Sequence, residues 1–203
     1  CVPAAIALVF GEFRQLGAFV AGIGVCLTLG SALRFFKARG LDRRRALLLV
    51  GFGWIVIGFV CAVPLLLSGS FDSWFDALFD SVSALTTTGV TLVSDVDAMS
   101  YSQVTWRVVM SFAGALTVII IAMYSGFFGE GSRVFMMAER RDGERTRARI
   151  SDTCLLVLRV YGSFALVGAV AATLICLFLG LHPVDAIMNG FWLALTAIGT
   201  GGF

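Results

Sequence analysis

The stretch ALTTTGVT, residues 84–91, puts four threonines and a glycine into eight positions of a chain that is otherwise apolar enough to sit in lipid. Neither a helix nor a strand favours that mix. The chain has 203 residues, 59% hydrophobic and 14% charged, where a soluble domain carries about a quarter charged residues. Its charges are clustered, and between the clusters lie runs with none: 15–33 (QLGAFVAGIGVCLTLGSAL), 46–67 (ALLLVGFGWIVIGFVCAVPLLL), 108–129 (VVMSFAGALTVIIIAMYSGFFG) and 160–181 (VYGSFALVGAVAATLICLFLGL). About 20 helical residues cross a hydrocarbon core, so these runs predict four transmembrane helices. The run VPAAIALVF at the start is too short to span. The abrupt ends, at Cys1 and in a glycine-rich turn at Phe203, lead us to expect a piece of a longer protein.

The charges orient the chain. Arg34, Lys37, Arg39, Arg43, Arg44 and Arg45 follow the first span, and Arg133, Arg140, Arg141, Arg145, Arg147 and Arg149 follow the third. Lys and Arg near span ends mark the cytoplasmic side. Residues 69–102 hold no basic residue but five aspartates, Asp72, Asp76, Asp80, Asp95 and Asp97, which makes them external. Counting crossings puts both basic clusters on one face and the acidic loop on the other. The cysteines form no CxxC and no Cys/His cluster; they read as small buried hydrophobes.

Residues 73–86 (SWFDALFDSVSALT) are too short and too polar to span, yet Trp74, Ala77, Leu78, Ser81 and Leu85 share one helical face. Ser73 with Asp76 has capping-box spacing. A short helix therefore enters from outside, and the chain must return to the same face: a re-entrant loop. Residues 183–203 (PVDAIMNGFWLALTAIGTGGF) repeat the pattern, with Pro183 in the first turn and Asp185-Ala186-Ile187, Ala194-Leu195-Thr196 and Gly199 echoing Asp76-Ala77-Leu78, Ala84-Leu85-Thr86 and Gly89. Internal repeats suit transporters, with the substrate site at the repeat interface. Non-helical backbone at bilayer depth is tolerated only where protein buries it or it lines a cavity. Exposed carbonyls and threonine hydroxyls there have one evident use, to replace the water around a cation, with glycine turning the carbonyls through positive φ.

Together these motifs resemble the Trk/Ktr/HKT superfamily of potassium transporters, most closely its bacterial TrkH/TrkG-like pore subunits. The resemblance rests on LLLSG at 65–69, SALTTTGVT at 83–91, TWR at 105–107, the Ala138-Glu139 pair of a basic linker and TAIGTGGF at 196–203. It implies an all-α integral membrane protein built of M1–P–M2 repeats with re-entrant pore helices and filter loops, pseudo-fourfold in the full parent. On that scheme residues 1–36 are N-terminal transmembrane helices, the first truncated, and 37–45 a cytoplasmic basic loop. Residues 46–129 are a complete first repeat, 130–152 a cytoplasmic basic linker, and 153–203 a second repeat as far as its filter.

The filter positions that carry over are Thr87, Thr88, Gly89, Val90 and Thr91, then Ala197, Ile198, Gly199, Thr200 and Gly201. Potassium would sit on the carbonyls of Thr87, Thr88, Gly89, Ala197, Ile198 and Gly199, with Asp80, Thr86 and Thr196 as support. The resemblance further implies potassium uptake across the bacterial cytoplasmic membrane, a homodimer, and a cytosolic nucleotide-binding regulatory subunit (TrkA-like). It implies no cofactor, no catalysis and no nucleic-acid partner. Ala197 stands where a Ser or Thr is usual, and Gly114-Ala115 where a Gly-Gly pair is common.

Other readings compete. Asp80 either attracts cations at a pore mouth or scaffolds the filter backbone; acids within membrane regions usually face protein partners, which favours the scaffold. Arg107 and Arg159 read as snorkelling anchors. GTGGF lacks the preceding strand and following helix of a phosphate loop. His182, the only histidine, lies at the outer boundary with no nucleophile beside it. The chain could also be a non-conducting membrane scaffold or receptor with a degenerate pore fold, or a less selective K+/Na+ channel.

Overall fold

The computed structural model describes residues 2–35, 43–93, 99–125 and 143–201. Most of the basic loop at 37–45, Asp95 and Asp97, the linker as far as Asp142, and Gly202-Phe203 lie outside the described residues. Seven helices appear among the described residues: α1 (Val2–Val9), α2 (Phe13–Arg34), α3 (Arg43–Leu67), α4 (Trp74–Leu85), α5 (Tyr101–Ser125), α6 (Gly143–Phe178) and α7 (Pro183–Ile198). No strand occurs among them. Phe13–Arg34, Tyr101–Ile121 and Cys154–Phe178 are long and apolar enough to cross a membrane. The chain is an all-α integral membrane protein. α2 and α6 leave rows of large apolar side chains exposed, among them Val20, Leu27, Phe164, Leu166 and Val167, as lipid-facing helices do.

Two helices run well beyond their charge-free cores, by a full turn or more. α5 begins at Tyr101 rather than Val108, because its first turns are polar but well capped. Gln103 Oε1 accepts from the Ser100 N–H at 3.2 Å, the return half of a capping box. The Glu12 carboxylate also accepts from the N–H groups of Tyr101 (3.0 Å) and Ser102 (3.2 Å), where the positive end of the helix dipole favours an anion. α6 begins at Gly143, inside the stretch assigned to the linker. Its first residues are rich in arginine, which helix formation tolerates and a hydropathy window does not count.

The chain divides into two compact units, Cys1–Met110 and Ser111–Phe203. In the first, α3 packs on both α2 and α4. Gly22 lies against the Pro64 ring, with room for no side chain: a Cβ there would come within 2.8 Å of Pro64 Cγ. Gly58 of α3 faces Val82 of α4, and the Ser81 hydroxyl donates to the Gly58 carbonyl at 3.0 Å. Phe19 and Trp106 meet edge to face at 5.9 Å, while the Trp106 indole N–H donates to the Cys61 carbonyl at 3.1 Å.

In the second unit α6 and α7 form a close pair. Its contacts are made by small residues: Gly168 faces Ala194, and Gly190 lies directly on Thr173. Small residues let membrane helices approach where lipid offers no hydrophobic drive between them. Gly190→Ala would place a methyl within 2.6 Å of Thr173 N and 2.9 Å of its Cα. It should lower stability by about 1–3 kcal/mol, read as an earlier thermal transition of the protein in detergent.

Candidate functional site

The first re-entrant segment starts from its cap. Ser73 is extended, and its hydroxyl accepts from the Phe75 N–H at 3.2 Å. Asp76 occupies the first turn. One face of α4 is buried: Ala77, Asp80, Ser81 and Ala84 are each fully enclosed. Seven of the twelve residues from Asp80 to Thr91 are Ser, Thr or Asp, and their side chains make most of the local bonds.

α4 closes at Thr86. The Thr87 N–H reaches the Ala84 carbonyl (3.1 Å) and the Thr88 N–H reaches that of Ser83 (2.9 Å), the paired bonds of a Schellman end. That closure needs a left-handed residue, which is usually glycine; here Thr87 takes φ 56. A β-branched residue in that region is strained, and such strain gathers at functional sites. Gly89 follows at φ 76, where glycine is unstrained. The Thr86 hydroxyl donates to the Val82 carbonyl (2.8 Å) and lies 2.8 Å from the Thr88 hydroxyl.

The return strand, 88–93, is irregular. Two side chains of α4 hold its rear. The Ser83 hydroxyl donates to the Val90 carbonyl at 2.6 Å, and the Thr91 hydroxyl donates to Asp80 Oδ1 at 2.8 Å. The carbonyl of Val90, one of the expected filter positions, is thus turned toward the helix. Among the described residues, no hydrogen bond ends on the carbonyls of Thr87, Thr88 or Gly89. Three consecutive carbonyls are left available in a loop that is half-buried to exposed.

Arg107 corrects its expected role. A snorkelling anchor would be exposed, but Arg107 is only 1% exposed. Its Nη2 donates to Asp80 Oδ1 at 2.9 Å, its Nε lies 2.9 Å from Asp80 Oδ2, and its Nη1 contacts the Met99 sulfur at 3.4 Å. The start of α5 packs behind α4, so the guanidinium meets a carboxylate before it can reach the headgroups. Local hydropathy carries no signal for a partner 27 residues away.

The second segment has the same closure displaced along the sequence. The Thr200 N–H reaches the Ala197 carbonyl (3.3 Å) and the Gly201 N–H that of Thr196 (2.9 Å), with Thr200 at φ 51. Ala197 and Ile198 are the last residues of α7, and Gly199, its cap, has φ −74. The expectation that Gly199 turns through positive φ is therefore not met, and the Ala197 carbonyl is engaged within the helix end. Thr196 repeats Thr86, its hydroxyl donating to the Trp192 (2.9 Å) and Leu193 (3.2 Å) carbonyls. A groove of about 620 Å³ between α6 and α7 is lined by Val160, Phe164, Leu193, Ile198 and other uncharged residues. No cluster of His, Cys, Asp and Glu able to hold a metal occurs among the described residues.

The family model of the TrkH cation transport proteins matches residues 15–203. The chain belongs to the TrkH family of cation transport proteins. It is 30% identical to the Trk system potassium uptake protein TrkH of Escherichia coli over its whole length, which is 42% of that protein. It is 26% identical to an uncharacterized cation transporter of Methanocaldococcus jannaschii over 99% of this chain and 41% of that one. The crystal structure of the potassium transporter TrkH from Vibrio parahaemolyticus matches with a TM-score of 0.72 at 28% identity, over 94% of this chain and 38% of that one. The chain thus spans about two-fifths of the relatives it matches.

The pair at the back of the TrkH-like first loop is testable by stability alone. Arg107→Met would leave the Asp80 charge buried without its guanidinium and should cost about 3–5 kcal/mol. Adding Asp80→Leu should recover most of the loss, since an apolar pair of similar volume is tolerated; thermal melting of the purified variants compares them.

Proposed function

We propose that this protein forms the potassium-conducting pore of a bacterial cytoplasmic-membrane uptake system, and that Thr87, Thr88 and Gly89 supply backbone carbonyls to its selectivity filter. The observation that carries this reading is the run of three carbonyls after α4 on which no hydrogen bond ends among the described residues. In a bilayer such groups cost several kcal/mol each unless something replaces water around them, and a dehydrated cation does so. α4 directs its negative C-terminal end at the same place. Membership of the cation transport family and relatives named potassium uptake proteins support the ion's identity.

In this mechanism the membrane potential draws potassium inward. The ion exchanges hydration water for the carbonyls of Thr87, Thr88 and Gly89, while Val90 and Thr91 fasten the strand to α4. The second segment, Ala197 to Gly201, contributes from the end of α7. Among the described residues no hydrogen bond ends on its Ile198 and Gly199 carbonyls, while the Ala197 carbonyl accepts from the Thr200 N–H. Residues 46–129 and 153–203 act as successive M1–P–M2 repeats. A homodimer docked on a cytosolic nucleotide-binding subunit fits the basic segments at 37–45 and 133–149.

Growth of a potassium-uptake-deficient bacterium on low potassium tests the reading, with the protein expressed at full natural length. Intact protein should restore growth. Gly89→Ser, which forces a side chain into positive φ beside the three carbonyls, should abolish rescue or make it sodium-sensitive. Rescue indifferent to this substitution would place the pore elsewhere; no rescue despite membrane expression would favour a non-conducting scaffold.

A further inference from the structure

We propose that the Asp80–Arg107 pair is a positioning device that sets the potassium-over-sodium preference of the first loop from behind, acting through the Thr91 hydroxyl. The proposal rests on the filter reading above and adds to it a residue on the next helix that touches no ion.

Asp80 Oδ1 accepts from both Thr91 Oγ1 (2.8 Å) and Arg107 Nη2 (2.9 Å), and Arg107 Nε sits 2.9 Å from Oδ2. Alone, a carboxylate rotates easily about its terminal torsion. Held by the Arg107 Nη2 hydrogen bond on Oδ1 and by the charge of Nε beside Oδ2, it is oriented from behind, and so is the hydroxyl it receives. That hydroxyl is two residues after Gly89, and it also accepts from the Val93 N–H at 3.1 Å. The strand leaving the three free carbonyls is therefore aligned by a group whose own alignment is set by Arg107. Discrimination by a carbonyl cage depends on the size of the cage or on the number and field of its carbonyls, and a loosened rear attachment alters both.

The pair is also neutral as a unit. Asp80 is fully buried and already matched by one positive charge, so it is no trap for cations at a pore mouth. The device belongs to the first loop alone among the described residues. The only acid of α7 is Asp185, in its first turn, and Asn189-Gly190 occupies the turn corresponding to Asp80.

Proteoliposomes holding the full-length protein, with potassium and sodium flux measured per molecule, decide the matter. Thr91→Val keeps the shape and removes the hydroxyl; it should lower the potassium-to-sodium flux ratio about tenfold, the weight of one hydrogen bond, with the yield of folded protein little changed. Thr91→Ser should keep the ratio. Arg107→Lys, which retains the charge without the fork, should lower it. Gly89→Ser serves as the filter control. A wild-type ratio for Thr91→Val beside an altered one for Gly89→Ser overturns the positioning role and leaves the filter standing. A ratio unmoved by Gly89→Ser removes the filter and this proposal with it. Should Arg107→Lys not fold, the two Thr91 variants decide alone.

Discussion

Backbone that leaves a helix inside a bilayer has no water to turn to, and each unpaired group there is expensive. Everything distinctive in the first unit answers that constraint. The Thr87 and Thr88 N–H groups are taken by the closing bonds of α4, the Val90 carbonyl by the Ser83 hydroxyl, and the Val93 N–H by the Thr91 hydroxyl. These bonds lie on the side facing α4, and among the described residues none ends on the carbonyls of Thr87, Thr88 or Gly89. The concentration of Ser and Thr between Ser81 and Thr91 follows, since these residues bond to local backbone without helical geometry.

The buried charge pair extends the same logic outward. A loop held only by its own hydroxyls would be as mobile as they are. Asp80 ties it to α4, and Arg107 ties Asp80 to α5. Such a pair is weak evidence for net stability, because desolvating both charges offsets their attraction. Its use lies in geometry: one hydrogen bond and one ion contact from the same guanidinium orient the carboxylate. Glu12 does comparable work at the start of α5, where one carboxylate takes two N–H groups of the helix that carries Arg107.

Features governed by local chemistry were legible in the sequence. Ser73 as a cap, Pro183 in the first turn of α7, and the apolar spans all follow from residue type and spacing. The capping pair Ser100 and Gln103 has the same kind of local signature, although it lies ahead of the charge-free run that starts at Val108. The Asp80–Arg107 pair was not legible, because two charges far apart in sequence announce nothing about each other, and an arginine at a span boundary looks like an anchor. The displaced end of α7 was missed for another reason. Thr87-Thr88-Gly89 resists helix and Ala197-Ile198 accepts it, so an identical sequence register did not give an identical stop.

That displacement separates two roles which the matching glycines otherwise conceal. Gly89 stands at φ 76, where a side chain strains the backbone whatever space surrounds it. Gly199 stands at φ −74, open to any residue on conformational grounds. A Cβ at Gly199, however, would lie 3.0 Å from the Leu195 carbonyl and 3.5 Å from both Phe112 Cα and the Ser111 carbonyl. The first glycine is required by the turn; at the second the tight contact is with the Leu195 carbonyl of its own helix, while the α5 atoms stand at ordinary contact distance. Equivalence in a repeated sequence is thus an equivalence of residue type; the physical demand behind it is set separately by how each helix ends.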